Sequence, residues 1–199
     1  MEKLDPGTEK QLRRSAGKRS VLAVVYTLLW WGLLFGLWFA YMHFLHRPFT
    51  DPGAFVFALL MVVPFIPYKL IRYLFGYTGY AVVTKEVVAI DVPLKWYDLP
   101  SKKRVPNSSM ADVMTLWLQP EHGASFKMTL IHPNITGGSG GPYLEKGDTV
   151  FLAGGFNFPV KVPMDLRNGI VCPTCGQMTG AGKRGCKWCR TVLAVETEG

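Results

Sequence analysis

Four cysteines, Cys172, Cys175, Cys186 and Cys189, form two Cys-x-x-Cys knuckles separated by ten residues, and they are all the cysteines in the chain. Such a set offers four soft sulfur donors to one ion. That favours structural zinc, because four thiolates complete a tetrahedral shell and leave no open position for a reacting water. Iron in a rubredoxin-like site and a redox-active Cys pair are the alternatives, and thioredoxin-type chemistry would need a surrounding βαβ unit that the flanking sequence does not offer. Pro173 restrains the first knuckle, and Gly176 lets backbone donors approach sulfur. Gly180, Gly182 and Gly185 allow the intervening stretch to reverse, so its GAGKRG string is a linker rather than a nucleotide loop.

Basic and aromatic residues crowd the second knuckle: Lys183, Arg184, Lys187, Trp188 and Arg190. They make a candidate binding surface for nucleic-acid phosphates, joined by the upstream run Lys102, Lys103 and Arg104, whose loop could lie against a membrane or nucleic acid. Four zinc-bound thiolates leave about two net negative charges, which weakens that basic field. His122 and His132, with Asp112 and Asp148, show no spacing that identifies a triad, a dyad or a hydrolytic metal site. Gly137 to Gly141 lacks the Lys-Ser/Thr ending of a phosphate-binding loop, so no nucleotide is assigned.

The elements that carry these residues divide the chain unevenly. The net charge is +8, yet the region from Tyr80 onward holds 13 Lys/Arg against ten Asp/Glu, so the membrane flanks contribute much of the excess. Residues 1–20 carry six basic groups, and Pro6, Gly7 and Gly17 oppose a long helix there, which predicts a mobile, basic tail attracted to anionic headgroups. Val21 to Leu45 has no charged side chain, and its roughly 25 residues exceed the hydrocarbon thickness, as a retained anchor rather than a cleaved signal. An external loop over 46–53 leads to a second span over 54–75, long enough if Lys69 and Arg72 snorkel. Pro64 and Pro67 break its backbone pairing near the exit, and in lipid a neighbouring helix must supply the missing partners. Trp30, Trp31 and Trp38 lie too deep for an interfacial belt and read as helix-packing or lipid-facing bulk, or as a subunit interface. His43 and His46 read as interfacial polar residues.

Basic residues before the first span and after the second place both termini in the cytoplasm. Reducing conditions there agree with metal-bound thiolates. The sequons at Asn107 and Asn134 then count as chance matches.

Beyond Phe75, Tyr80 to Val92 is rich in β-branched residues, and Asp112 to Leu118 with Ser125 to Ile131 flank a turn at Pro120-Glu-His-Gly. Thr149 to Ala153 and Phe156 to Val162 predict a second hairpin around Gly154-Gly155. Five short strands over 79–163 suggest a small SH3-like or OB-like barrel. Single-strand binding on such a barrel would need aromatic platforms, and Trp96, Tyr97, Trp117 and Phe126 are the available ones.

Over Ile170 to Ala194 the chain resembles the zinc-ribbon family, which implies a small ribbon fold around structural Zn2+ over 170–194. As a whole, the two spans, the β-rich segment with Tyr143-Leu-Glu-Lys-Gly-Asp-Thr-Val and the ribbon resemble uncharacterised bacterial membrane proteins. That resemblance implies architecture only and makes Lys146 to Val150 the turn into a late barrel strand; the expected location is a bacterial plasma membrane. The expected molecule is therefore an α+β membrane protein with a two-helix transmembrane hairpin. Its expected function is a non-enzymatic adaptor for a protein partner; tethered nucleic-acid binding is the alternative, and an enzyme of unidentified class the third.

Overall fold

The computed structural model describes residues 2–45, 51–63, 75–93, 110–131, 143–164, 170–179 and 183–193. Helices α1 (Pro6–Leu45) and α2 (Asp51–Val62) precede strands β1 (Gly79–Pro93), β2 (Met110–Pro120), β3 (Phe126–Ile131), β4 (Thr149–Leu152), β5 (Val160–Val162), β6 (Ile170–Val171) and β7 (Met178–Thr179).

The first twenty residues correct the sequence expectation of a mobile tail. Asp5 caps α1, its Oδ2 accepting the Thr8 amide at 3.1 Å. Pro6 takes the first helical position, where a missing N–H costs nothing and a fixed φ helps. From there one helix runs 40 residues. Leu4, Thr8, Leu12 and Ala16 are buried at a spacing of one per turn, and Leu4, Leu12 and Ala16 share a core with Tyr80, Phe151, Ala153, Phe156, Val160 and Val162. Ionic and polar contacts reinforce it. The Tyr80 hydroxyl donates to Glu9 at 2.6 Å and accepts the Leu4 amide at 3.2 Å, and Arg13 lies 5.2 Å from the Phe151 ring centre.

Past Ser20, α1 changes character, and large apolar side chains from Val21 to Met42 are exposed. It is the one helix among the described residues that is long and apolar enough, by length and composition, to cross a membrane. Helix α2 covers 12 residues, too few for a span. The rest of the expected second span, 64–74, with Lys69, Arg72 and Pro67, lies outside the described residues, as do 46–50 and His46.

Helices α1 and α2 run antiparallel and pack through aromatic residues. Phe57 faces Phe35 at 5.7 Å and Trp38 at 6.0 Å between ring centres. Trp30 donates its indole N–H to the Leu60 carbonyl at 2.9 Å, and Trp31 donates to that of Met61 at 3.1 Å. Leu60 and Met61 stand in the last turn of α2, whose carbonyls find no amide within the helix, and indoles of the neighbouring helix supply the donors. The tryptophans are therefore packing residues with a defined polar task.

The expected strands form, and among the described residues they do not support the expected SH3-like or OB-like barrel. The strands pair as an open antiparallel sheet in the order β3-β2-β1-β4-β5, with β3 and β5 as its edges among the described residues. Ala81, Val83, Met114, Leu116, Leu118, Met128, Leu130, Val150 and Leu152 point to one face and build the main core with Leu144, Phe158 and Val171. Register shifts between Val83 and Lys85 and between Ala89 and Val92 interrupt the pairing of β1, whose outer half pairs with β2 alone among the described residues.

Candidate metal centre

Two small hairpins present the cysteines. In the first, Val171 pairs with Met178 and the Cys172 amide donates to the Gln177 carbonyl at 3.0 Å. In the second, Gly185 bridges Val192 and the Cys186 amide donates to the Thr191 carbonyl at 2.9 Å. Each tip closes identically: the Gly176 amide returns to the Cys172 carbonyl at 2.8 Å, and the Arg190 amide to that of Cys186 at 2.9 Å. Both closures need a left-handed residue, and φ is 76° at Gly176 and 57° at Arg190. Glycine takes that conformation freely. Arginine pays about 1–2 kcal/mol, so the second knuckle is held by its sulfurs as well as its backbone.

The knuckles meet sulfur to sulfur. Cys172 Sγ lies 3.5 Å from Cys189 Sγ, Cys175 Sγ lies 3.5 Å from Cys186 Sγ, and all four sulfurs fall within 4.8 Å of one another. A tetrahedron of bonds about 2.3 Å long sets its sulfurs roughly 3.8 Å apart, whereas a disulfide would bring two of them to about 2.0 Å. The set therefore fits one ion, and its donors suit a soft or borderline metal such as zinc rather than magnesium or calcium.

Backbone amides aim at the sulfurs: those of Thr174 and Cys175 at Cys172, that of Gln177 at Cys175 and that of Thr191 at Cys189. Such donors favour thiolate, and burial opposes them. The proton shared with Cys189, with burial next, holds the Cys172 thiol far above its usual range. Burial pushes Cys175 up to about 11. Accepting from Cys172 holds Cys189 down to about 4. A compact apolar site thus keeps protons among its thiols, and a bound dication would supply the charge that ionises all four. Thr191 Oγ1 lies 3.0 Å from Cys189 Sγ and donates to Thr174 Oγ1 at 3.0 Å, bracing one knuckle against the other.

The sheet domain grips the first knuckle. The amides of Asn157 and Phe158, in the loop between β4 and β5, donate to the Pro173 carbonyl at 2.8 and 2.9 Å. Asn157 Nδ2 donates to the Thr174 carbonyl at 2.9 Å. With Val171 in the main core, the knuckles are a continuation of the domain rather than a separate tail.

Of the basic surface expected from sequence, Lys183, Arg184, Lys187, Trp188 and Arg190 are exposed together at the second knuckle. Lys102, Lys103 and Arg104 lie outside the described residues, as do Trp96, Tyr97, His132, Gly137 to Gly141 and Asn134. Trp117 is half-buried, with Lys85 and Lys127 at 5.0 and 5.4 Å from its ring centre, and Phe126 packs on Tyr77. These two aromatics form no shared platform. Asp148 is engaged by Lys161 at 2.7 Å and by the Glu145 amide at 2.9 Å, a turn-forming role. An open cavity of about 370 Å³ lined by Tyr77, Phe126, Met128 and Leu152 holds none of the cysteines.

Sequence reasoning missed Asn157, which reaches Pro173 and Thr174 across 16 and 17 residues, and the bond from Thr191 to Thr174 across 17; neither leaves a local pattern. It also missed the N-terminal clamp, which the Asp5-Pro6 cap and the stripe at Leu4, Thr8, Leu12 and Ala16 did announce. Comparison with protein-family models, with curated proteins and with solved structures gives no match for this chain.

Proposed function

We propose that the chain is a membrane-anchored, non-enzymatic adaptor, in which a two-helix hairpin fixes a cytoplasmic sheet domain at the membrane and a zinc ribbon stiffens it. One observation carries this: α1 is a single helix whose first turns are built into the core of the sheet domain and whose remainder exposes an uncharged apolar surface. Because residues 4–16 pack on the domain that begins at Gly79, both lie on one side of any membrane, and a chain leaving that side along α1 has to return before Gly79. The second crossing falls to residues 54–75. The indole donors at Leu60 and Met61 support it by satisfying carbonyls that lipid would leave bare. Lys and Arg around both spans favour a cytoplasmic domain, with a bacterial plasma membrane the expected location.

Zinc on four cysteines is structural in this scheme, and the protein partner binds elsewhere. The surface offered is the outer part of β1, where Val87 and Ile90 are 46 and 68% exposed and where an open strand edge can accept another strand.

Co-purification from detergent-solubilised membranes tests the assignment. The chain should resist alkaline carbonate extraction and retain a protein that survives nuclease and salt. Val87→Glu with Ile90→Glu should release that protein without loss of metal. Extraction of the chain by carbonate, or capture of nucleic acid alone, would reject the adaptor.

A further inference from the structure

We infer that the tip of the second knuckle, Trp188 flanked by Lys187 and Arg190, rests on the anionic headgroup layer of the membrane that α1 enters; this builds on the membrane reading above. The first support is position. Ala16 touches the sheet domain, and the uncharged stretch starts five residues later at Val21, about 7.5 Å along the helix. A headgroup layer is roughly 5–8 Å deep on each side of the hydrocarbon, so Ala16 sits at its outer edge.

Gly155 packs on the backbone of Ala16 so closely that a Cβ would overlap the carbonyl. The adjoining Gly154 amide donates to Thr78 Oγ1 at 3.2 Å, in the segment that follows the second span. Two independent contacts therefore mark the loop between β4 and β5 as the membrane-proximal end of the domain. At the opposite end of the clamp Lys3 meets Glu121 at 3.7 Å. The membrane-proximal loop is the one whose Asn157 and Phe158 hold Pro173, and the second knuckle is joined to the first through sulfurs 3.5 Å apart.

The second support is chemistry. Trp188 is 68% exposed, although indole is costly to leave in water and is enriched where apolar and polar phases meet. Around it stand Lys183, Arg184, Lys187 and Arg190, and residues 183–193 contain no acidic side chain. Each cation near an anionic leaflet strengthens attachment roughly fivefold. Nucleic acid would satisfy the same charges, but the tether puts lipid phosphate within reach at all times.

The test places photo-crosslinking p-benzoylphenylalanine at Trp188 in the full chain. The protein is reconstituted in nanodiscs of phosphatidylcholine alone or of phosphatidylcholine with an equal part of phosphatidylglycerol. Lipid adducts at this position should form in the anionic discs and fall at least fivefold in the neutral ones. They should fall similarly with Lys183→Glu and Lys187→Glu, whose zinc content should match the parent's, and raising salt on the otherwise unsubstituted chain makes the same comparison. Equal labelling in both lipids, no lipid adduct, or nucleic acid or protein as the main adduct in native membranes would overturn the inference. Carbonate extraction of the same membranes separates the two failures: a released chain rejects the anchor and this inference together, and a retained chain without lipid adducts rejects this inference alone.

Discussion

Cys189 shows what the metal site demands at the residue scale. The hydrogen it accepts from Cys172 holds it down to about 4, while the shared proton and burial hold Cys172 up and burial holds Cys175 up. Zinc binds thiolate, so uptake at pH 7 should release protons, and acidification should weaken binding. Calorimetry in buffers of different ionisation enthalpy, with competition from a chelator of known affinity between pH 6 and 8, measures both. Metal analysis should find one zinc per chain, and Cys172→Ser with Cys175→Ser should remove it and lower the domain's melting temperature. Unchanged melting would mean that the knuckles do not stiffen the domain. The four-cysteine cluster was legible because a Cys-x-x-Cys turn is local geometry, written in adjacent residues. Asn157 was not, since its role depends on a loop brought to Pro173 by the sheet, and no spacing records that.

Elements were legible where hydrophobic period and turn chemistry agreed. The stretch from Tyr80 to Val92, rich in β-branched residues, became β1, and the turn at Pro120 to Gly123 joined β2 to β3. The start of α1 was obscured because Pro6 and Gly7 read as helix breakers, although proline behind an Asp cap begins a helix. Docking of that helix rests on Gly155 and on the pair of Glu9 with Tyr80. Gly155→Ala would drive a methyl into the backbone of Ala16, and overpacking of this kind costs about 1–3 kcal/mol, read as faster tryptic cleavage at Arg13 and Arg14. The hydrogen bond from Tyr80 holds the Glu9 carboxyl below its usual 4.5, so its contribution is complete above that value and is lost as pH falls through the lowered one. Burial, with Glu9 beside it, pushes Tyr80 up to about 12. That contribution is complete below its usual 10 and is lost as pH rises through about 12. Amide exchange over residues 4–16 should therefore be slowest between about pH 5 and 10, after correction for intrinsic rates, and Tyr80→Phe should flatten the profile. In the hairpin, Trp30→Phe with Trp31→Phe keeps the apolar bulk but strips the donors from Leu60 and Met61. In the apolar phase proposed for the hairpin a carbonyl left bare costs several kcal/mol, which a thermal shift in detergent would register.

The whole molecule was the hardest scale to read, because closure of a sheet and return of a chain across a membrane depend on contacts between distant segments. Five strands were visible in the sequence, but nothing local distinguishes a barrel from the open sheet or announces the two register shifts in β1. The proposed return across the membrane follows from Leu4, Leu12 and Ala16, whose burial against Phe151 and Phe156 ties the start of the chain to a domain beyond residue 79. That tie makes the two ends report on each other. Reporters fused at either end should show both on the cytoplasmic side. Leu59→Arg with Leu60→Arg should defeat the second crossing, since each arginine at span depth costs about 2.5–3.5 kcal/mol on insertion. The domain would then be carried to the far side while residues 4–16 stay behind, and the shared core could not form. The expected readout is an external C-terminal reporter on a domain sensitive to protease. An internal, protease-resistant domain in that variant would show instead that α1 lies along the membrane without crossing it.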